Sequence, residues 1–180
     1  MAGNKIGAVN TGMREMLSEI MEISDASDVK IKIAVLAFSS GASWITANGP
    51  VDANEFKWTE LEAGGRADLG AAFKTLNEKL SAAAFSQSQS ASGNFPRVMF
   101  LLSDSPPTDD WEKELNLLKQ NKWFKPARKA AVAIGDEADR NVLKAFTGSS
   151  ELVLEGNMNS LLKAITGALQ YADDGPASEE

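Results

Sequence analysis

The residues best placed to do chemistry lie in the run Leu101-Leu102-Ser103-Asp104-Ser105-Pro106-Pro107-Thr108-Asp109, where an apolar stretch stops on a carboxylate and then on two prolines. Asp104 offers a hard oxygen that can ligate a divalent cation or accept a hydrogen bond from a hydroxyl, and Ser103 and Ser105 can help orient it. The run ahead of it, Arg97 to Leu102, has the length of a buried strand. Its unbroken apolarity suits a parallel sheet covered on both faces. Such sheets gather ligands at the carboxyl ends of their strands, which is where Asp104 falls. The bland alternative is a carboxylate that ends a strand and accepts N–H groups from the next loop. The strand-end position favours a site, and Asp104 is the candidate metal residue.

Composition narrows the chemistry further. The chain has no histidine and no cysteine. That excludes a Ser/His/Asp triad, imidazole acid–base catalysis, thiolate nucleophiles, disulfides and the usual zinc ligands. Carboxylate, hydroxyl, lysine and tyrosine chemistry remain. With 25 acidic against 18 basic side chains and a net charge of −7, the chain lacks the concentrated basic surface that binds nucleic acid. No stretch approaches the roughly 20 apolar residues that span a membrane. Residues 1 to 24 mix charge with apolarity instead of forming a secretory core, so a cytoplasmic location is expected.

The 180 residues, 43% of them hydrophobic, suffice for one domain with a real core, expected over 1–172. Asp173 to Glu180 is an acidic tail with no apolar anchor, expected to be disordered. Ile6, Val9, Met13, Met16, Leu17, Ile20 and Ile23 recur at helical spacing and predict a helix from Asn4 to Ser24. After a polar break at Asp25 to Asp28, a strand runs from Ile31 to Phe38 and ends at Ser39-Ser40-Gly41. Ala42 to Glu60, with aromatic residues either side of Asn48-Gly49, reads as an antiparallel edge ribbon. A glycine-containing loop, Ala63 to Asp68, opens a second helix through Leu69, Ala72, Phe73, Leu76 and Leu80. Ala83 to Asn94 is serine-rich and reads as a flexible spacer in preference to a phosphorylation segment.

Beyond Asp104 the spacing predicts a helix over Asp109 to Asn121, with Asp109 as its N-cap, and a strand over Lys129 to Gly135. A helix at Arg140 to Thr147, a strand at Leu152 to Leu154 and a helix at Asn157 to Tyr171 complete the alternation. This pattern is α/β: a doubly wound, mostly parallel, Rossmann-like sheet with helices on both faces and one antiparallel edge ribbon. Asp68 is expected to cap the helix it precedes, and Asp109 and Asp110 to sit at a helix start where negative charge is favourable. Trp111 is expected in the helix–sheet core, while Trp44 and Trp58 suit either cross-strand packing or a partner-binding edge. Trp123-Phe124 stays open between a buried and an exposed reading.

Three of these segments, in order and spacing, resemble von Willebrand factor A (vWA) domains, in particular the bacterial TerY-like branch linked to tellurium resistance. Phe100-Leu101-Leu102-Ser103-Asp104 with Pro107-Thr108-Asp109 is similar to the family's LLSDGxPTD segment. Gly64-Gly65-Arg66-Ala67-Asp68-Leu69-Gly70-Ala71-Ala72 is similar to its GGxTDLGAA loop, and Ala133-Ile134-Gly135-Asp136-Glu137-Ala138-Asp139 to its AIGxxAD turn. The likeness runs from residue 1 to about residue 170. It implies a protein–protein interaction module whose partner's carboxylate completes the shell of a magnesium or manganese ion. That ion is held by three loops at the carboxyl end of the sheet, the metal-ion-dependent adhesion site (MIDAS).

The chain departs from that pattern in two places. Its first residues match the segment that comes after the family's first strand and DxSxS loop, and neither of those is present. Ala67 stands where the family has a threonine and brings no oxygen. Asp104 alone matches a metal-site residue, so little or no metal binding is expected, with partners docking at the carboxyl edge without it. The missing strand has two accounts: a sequence that starts late inside the motif, or a strand supplied by a partner chain. The late start is preferred, because losing a central strand exposes two ladders of backbone groups. Two alternatives to a binding module remain. One is a metal-assisted phosphohydrolase using Asp104, which needs a second strand-end carboxylate that Ser39-Ser40 does not provide. The other is a fragment without independent function.

Overall fold

The computed structural model describes residues 3–27, 30–82, 98–156 and 163. The serine-rich segment, the expected final helix apart from Lys163, and the acidic tail lie outside the described residues.

The first helix, α1, spans Asn4–Ser27. Val9, Met13, Met16, Leu17 and Ile20 form its buried stripe, as their spacing requires. It runs into the expected polar break as far as Ser27, and there Asp25 accepts a hydrogen bond from Asn54 Nδ2 at 2.8 Å. The strand expected over 31–38 is split into β1 (Lys32–Ile33) and β2 (Leu36–Ser39). At the break, Thr46 Oγ1 accepts from Val35 N at 3.1 Å and Val35 O accepts from Ile45 N at 2.9 Å.

The expected ribbon does not close on itself. β3 (Gly41–Trp44) folds back on β2, pairing Leu36 with Trp44 and Ser39 with Gly41, and β4 (Val51–Asp52) pairs with β1. The two arms meant to face each other both lie against the preceding strand. Burial explains the difference. Trp58 packs in the cluster beneath α1, with its Nε1 donating to Asn10 Oδ1 at 3.1 Å, and a free-standing ribbon would leave that indole half in water.

A parallel sheet of three strands comes next: β5 (Val98–Ser103), β6 (Arg128–Ala133) and β7 (Val153–Glu155), in that order. Their register runs from Val98 with Arg128 to Ser103 with Ala133, and from Ala131 with Val153 to Ala133 with Glu155. Three helices connect to these strands: α2 (Leu69–Ser81), α3 (Trp111–Leu118) and α4 (Arg140–Thr147). α4 begins on Asp139, whose carboxylate accepts from Asn141 N and Val142 N, and ends on Gly148 at φ +85°.

Alternation along the strands feeds two cores. Leu101, Ala131 and Ala133 join Leu69, Phe73, Leu115, Leu118, Phe124 and Phe146 in the core under α2, α3 and α4, with Leu36, Phe38, Met99 and Trp111 packed against it. Val132 and Ile134 join Val9, Met13, Met16 and Ile20 under α1, with Ile31, Ile33, Phe100, Leu102 and Leu154 around them. Phe124, open at the level of sequence, is 1% exposed and meets Phe146 edge-on at 5.7 Å. The fold is therefore α/β with helices on both faces of a partly parallel strand layer.

Asn10 is buried within α1, and its amide satisfies three groups of the strap it covers: Leu61 O at 2.9 Å, Leu61 N at 2.9 Å and Trp58 Nε1 at 3.1 Å. Asn10→Leu leaves all three without this partner and should cost about 2 kcal/mol, read as a lower denaturant midpoint at unchanged slope. A second prediction concerns the exposed bidentate pair of Arg140 and Glu155, at 2.6 and 2.7 Å, which ties α4 to β7. Hydrogen bonding and charge from Arg140 hold the Glu155 carboxyl below its ordinary range. A depressed carboxylate contributes stability above its unfolded pKa of about 4.3 and loses it as the pH falls through the lower folded value. Glu155→Gln should remove that small contribution, so its melting temperature should converge with that of the parent chain below about pH 4.

Candidate functional site

Five segments meet at the carboxyl edge of the strand layer: the start of α1, the turn after β2, the loop before α2, the loop after β5 and the turn after β6. Asp104 leaves β5 there, buried at 7% exposure beside the equally buried Ser103, whose hydroxyl donates to Ser105 O at 3.1 Å. A cation already faces it. Lys5 Nζ lies 3.8 Å from Asp104 Oδ2 and 3.5 Å from Glu137 Oε2. Gly135, at φ +79°, makes room for that lysine, since a Cβ there would stand 3.1 Å from Lys5 Cε.

Asp68 stands at the N-cap position of α2, but its side chain makes no capping bond to that helix. Its Oδ2 accepts from Gly41 N and its Oδ1 from Thr108 Oγ1, both at 2.9 Å, so one carboxylate ties the turn after β2 to the loop after β5. Backbone bonds reinforce the tie, from Asp68 N to Ser39 O at 3.0 Å and from Thr108 N to Ala67 O at 2.9 Å. Gly65, at φ +75°, lets the loop pass closely over Ser40, where a Cβ would stand 2.7 Å from the hydroxyl oxygen.

Asp109 is likewise not the cap of its own helix, which starts at Trp111 with Asp110 in the cap position and no side-chain bond there. It caps α2 instead, accepting from Gly70 N at 2.8 Å and Ala71 N at 2.9 Å. These are two of the free N–H groups at the start of α2, and the negative charge suits that helix end. The trace of this arrangement in the sequence is Gly70, where a Cβ would sit 2.9 Å from Asp109 Oδ2.

The structure thus brings Asp104, Asp68, Thr108 and Asp109 to one edge and divides their work. Asp68 and Asp109 bind backbone, and Asp104 faces Lys5. Sequence reasoning missed Lys5 and Glu137; the available signal for Lys5 was Gly135, a residue without a side chain directly after β6.

No known family profile and no curated protein matches this sequence. Solved structures do match. Three structures of proximal thread matrix protein 1 from the mussel byssus are similar, each 18% identical, with TM-scores of 0.61, 0.62 and 0.60 over 89%, 89% and 87% of this chain. The chain spans less than half of that protein, 42%, 42% and 41% of its length. One of the three carries a zinc-occupied MIDAS motif. At this identity the likeness bears on fold alone, and the fold of the present chain is vWA-like.

The residues at this edge do not fit a divalent ion of that kind. Ala67 brings no side-chain oxygen, both oxygens of Asp68 accept hydrogen bonds, and the Lys5 ammonium stands beside Asp104. Among the described residues no group of three or more acidic, histidine or cysteine side chains could hold a metal. A site wanting about six oxygens has one carboxylate shared with a cation.

The division of work among the aspartates can be tested by unfolding in urea. Asp109→Ala should cost about 1–2 kcal/mol through loss of the α2 cap, and Asp110→Ala under about 0.5 kcal/mol.

Proposed function

We propose that this chain is a protein-binding module whose partners dock at the carboxyl edge of the strand layer without a metal ion. The observation that carries this reading is the buried Asp104 facing Lys5, with Glu137 on the other side of the same ammonium. A charged rim of this kind offers a partner both a donor and acceptors, and Lys5 provides the positive charge where a metal would otherwise be needed. The vWA-like fold supports the reading, because it leaves the loops at the carboxyl edge free to vary while the strand layer holds them rigidly.

The module is not an enzyme on this reading, since among the described residues no group of three or more acidic side chains could hold the metal that such hydrolysis needs. The motif likeness to TerY-like proteins extends the proposal to a cytoplasmic role in tellurite or general chemical-stress resistance, in concert with other proteins.

Capture experiments with the tagged chain, in extracts of cells that carry its gene, test the proposal directly. The partner should be recovered equally with magnesium and with EDTA, and lost on Asp104→Ala or Lys5→Glu. Magnesium, manganese and zinc should leave the melting temperature of the purified chain unchanged. Capture that requires magnesium would overturn the metal-free reading. Hydrolysis of p-nitrophenyl phosphate that disappears on Asp104→Ala would replace the module with a phosphohydrolase.

A further inference from the structure

A second concave site lies at the amino end of the strand layer. The end of α3, the connection after it, the start of β6 and the last turn of α4 surround an open cavity of about 230 Å³, and every residue that lines it falls in the continuous described stretch from Lys119 to Gly148. Lys129 on its wall pairs with Met99, five residues before Asp104, so about 16 Å of strand separates it from the carboxyl edge.

Three of the lining residues are lysines: Lys119, Lys125 and Lys129. No acidic side chain lines the cavity, and among the described residues none of the three lysines has an ion-pair partner. That is a local excess of positive charge in a chain of net charge −7. Lys119 and Lys125 are exposed, and Lys129 is half-buried. Lys129 is also fixed in place. Its Nζ donates to Ala127 O at 2.7 Å and stands 4.6 Å from the centre of the Phe124 ring, which leaves two of its three N–H groups for other acceptors. Burial holds its pKa below the ordinary lysine value, so its charge lacks solvation that a bound anion would restore.

The bland account of these lysines is that they answer the negative ends of two helices, since α3 ends at Lys119 and α4 at Gly148. Each such end carries about half a negative charge. The two together offset about one ammonium of the three. About two positive charges remain, on three side chains converging on one cavity.

We propose that this cavity binds a small organic dianion of the phosphate-monoester class, with its oxygens on Lys119, Lys125 and Lys129 and its apolar body against Ala145 and Phe146. A phosphate monoester brings nearly two negative charges and three acceptor oxygens, which match the charge left over and the number of ammoniums; a single carboxylate brings half that charge. The volume sets the size, since it falls below the roughly 300–1,000 Å³ of sites for drug-sized ligands. Three lysines about one cavity also differ from the extended basic surface that a nucleic acid needs. Within the chain, residues 83–97 carry no carboxylate, so the competitor for these lysines is the acidic run from Asp173 to Glu180. The site is separate from docking at the carboxyl edge and does not need Asp104.

Phenyl phosphate is the probe, titrated into the full chain while backbone amide shifts are followed by NMR. Saturable shifts should gather at Lys119, Lys125, Lys129 and Gly148. Phenyl sulfate, of the same shape with one charge fewer, and inorganic phosphate, without the apolar body, should each bind about tenfold or more weaker. Lys125→Gln and Lys129→Gln should each weaken phenyl phosphate about tenfold, whereas Lys122→Gln, next in sequence but outside the cavity, should leave it within about twofold. Lys125 is exposed, so its variant keeps the test intact if Lys129→Gln fails to fold. Shifts that never saturate, equal affinity for the sulfate and the phosphate, or equal weakening by Lys122→Gln would overturn the proposal. A chain with Asp173, Asp174, Glu179 and Glu180 changed to their amides should bind phenyl phosphate as the parent does. Binding tightened about tenfold or more in that chain would make the acidic run the occupant and overturn the proposal as well.

Discussion

Everything in this fold depends on a layer of strands buried from both sides. α1 covers one face with Val9, Met13, Met16 and Ile20, and α2, α3 and α4 cover the other with Leu69, Phe73, Leu115 and Phe146. A strand between two helix layers must be apolar at consecutive positions, and Phe100-Leu101-Leu102 and Ala131-Val132-Ala133 meet that demand. The same demand leaves short, polar connections at the strand ends as the places where variable chemistry can sit. The carboxyl edge is then a consequence of the core, held in position by residues that lie within it.

That edge is stabilised by carboxylates acting on backbone. Asp68 and Asp109 each accept two hydrogen bonds from groups of another segment, drawing together the turn after β2, the loop after β5 and the start of α2. Hydrogen bonds to a charged acceptor are stronger than neutral ones, and two such ties fix three loops at little cost in side-chain entropy because aspartate is short. The rigidity has a chemical consequence. An oxygen already holding an N–H or O–H is poorly disposed to enter a metal's coordination shell, so the residues that order the site also withdraw from its chemistry.

Much of this was legible in the residues. The helical period of α1 emerged from spacing, and α4 lies over Arg140–Thr147, where the alternation of elements placed it. β5 and β6 were legible as apolar runs that stop on Asp104 and Gly135. The ribbon was not, because Asn48-Gly49 is a strong local turn signal whereas the choice of pairing partner depends on where Trp58 can be buried, a tertiary matter. The roles of Asp68 and Asp109 were hidden for a related reason. Local spacing assigns a carboxylate to the nearest helix start, but a short side chain at a loop junction serves whichever free N–H groups the fold brings to it, and here those belonged to segments 27 and 39 residues away. Lys5 lay furthest from view, since its partners Asp104 and Glu137 meet it only once α1 is laid over the sheet.

The placement of Lys5 also bears on why one carboxylate can suffice at this edge. A divalent ion must shed water and gather several oxygens before it is held, and its affinity collapses when the oxygens are few. An ammonium carried on a helix brings its charge already tethered, keeps part of its hydration at 34% side-chain exposure, and needs only one or two acceptors. The absence of a side-chain oxygen at Ala67 therefore need not leave Asp104 as an uncompensated buried charge, because the compensation arrives from α1 in the same chain. Such an exchange alters what the edge can recognise. A metal ion would attract a carboxylate into its own coordination shell, whereas a lysine already placed between Asp104 and Glu137 offers directional hydrogen bonds and a weaker, screened attraction. Recognition at this edge would then rest on the shape and polar pattern of the surrounding loops more than on any single charge.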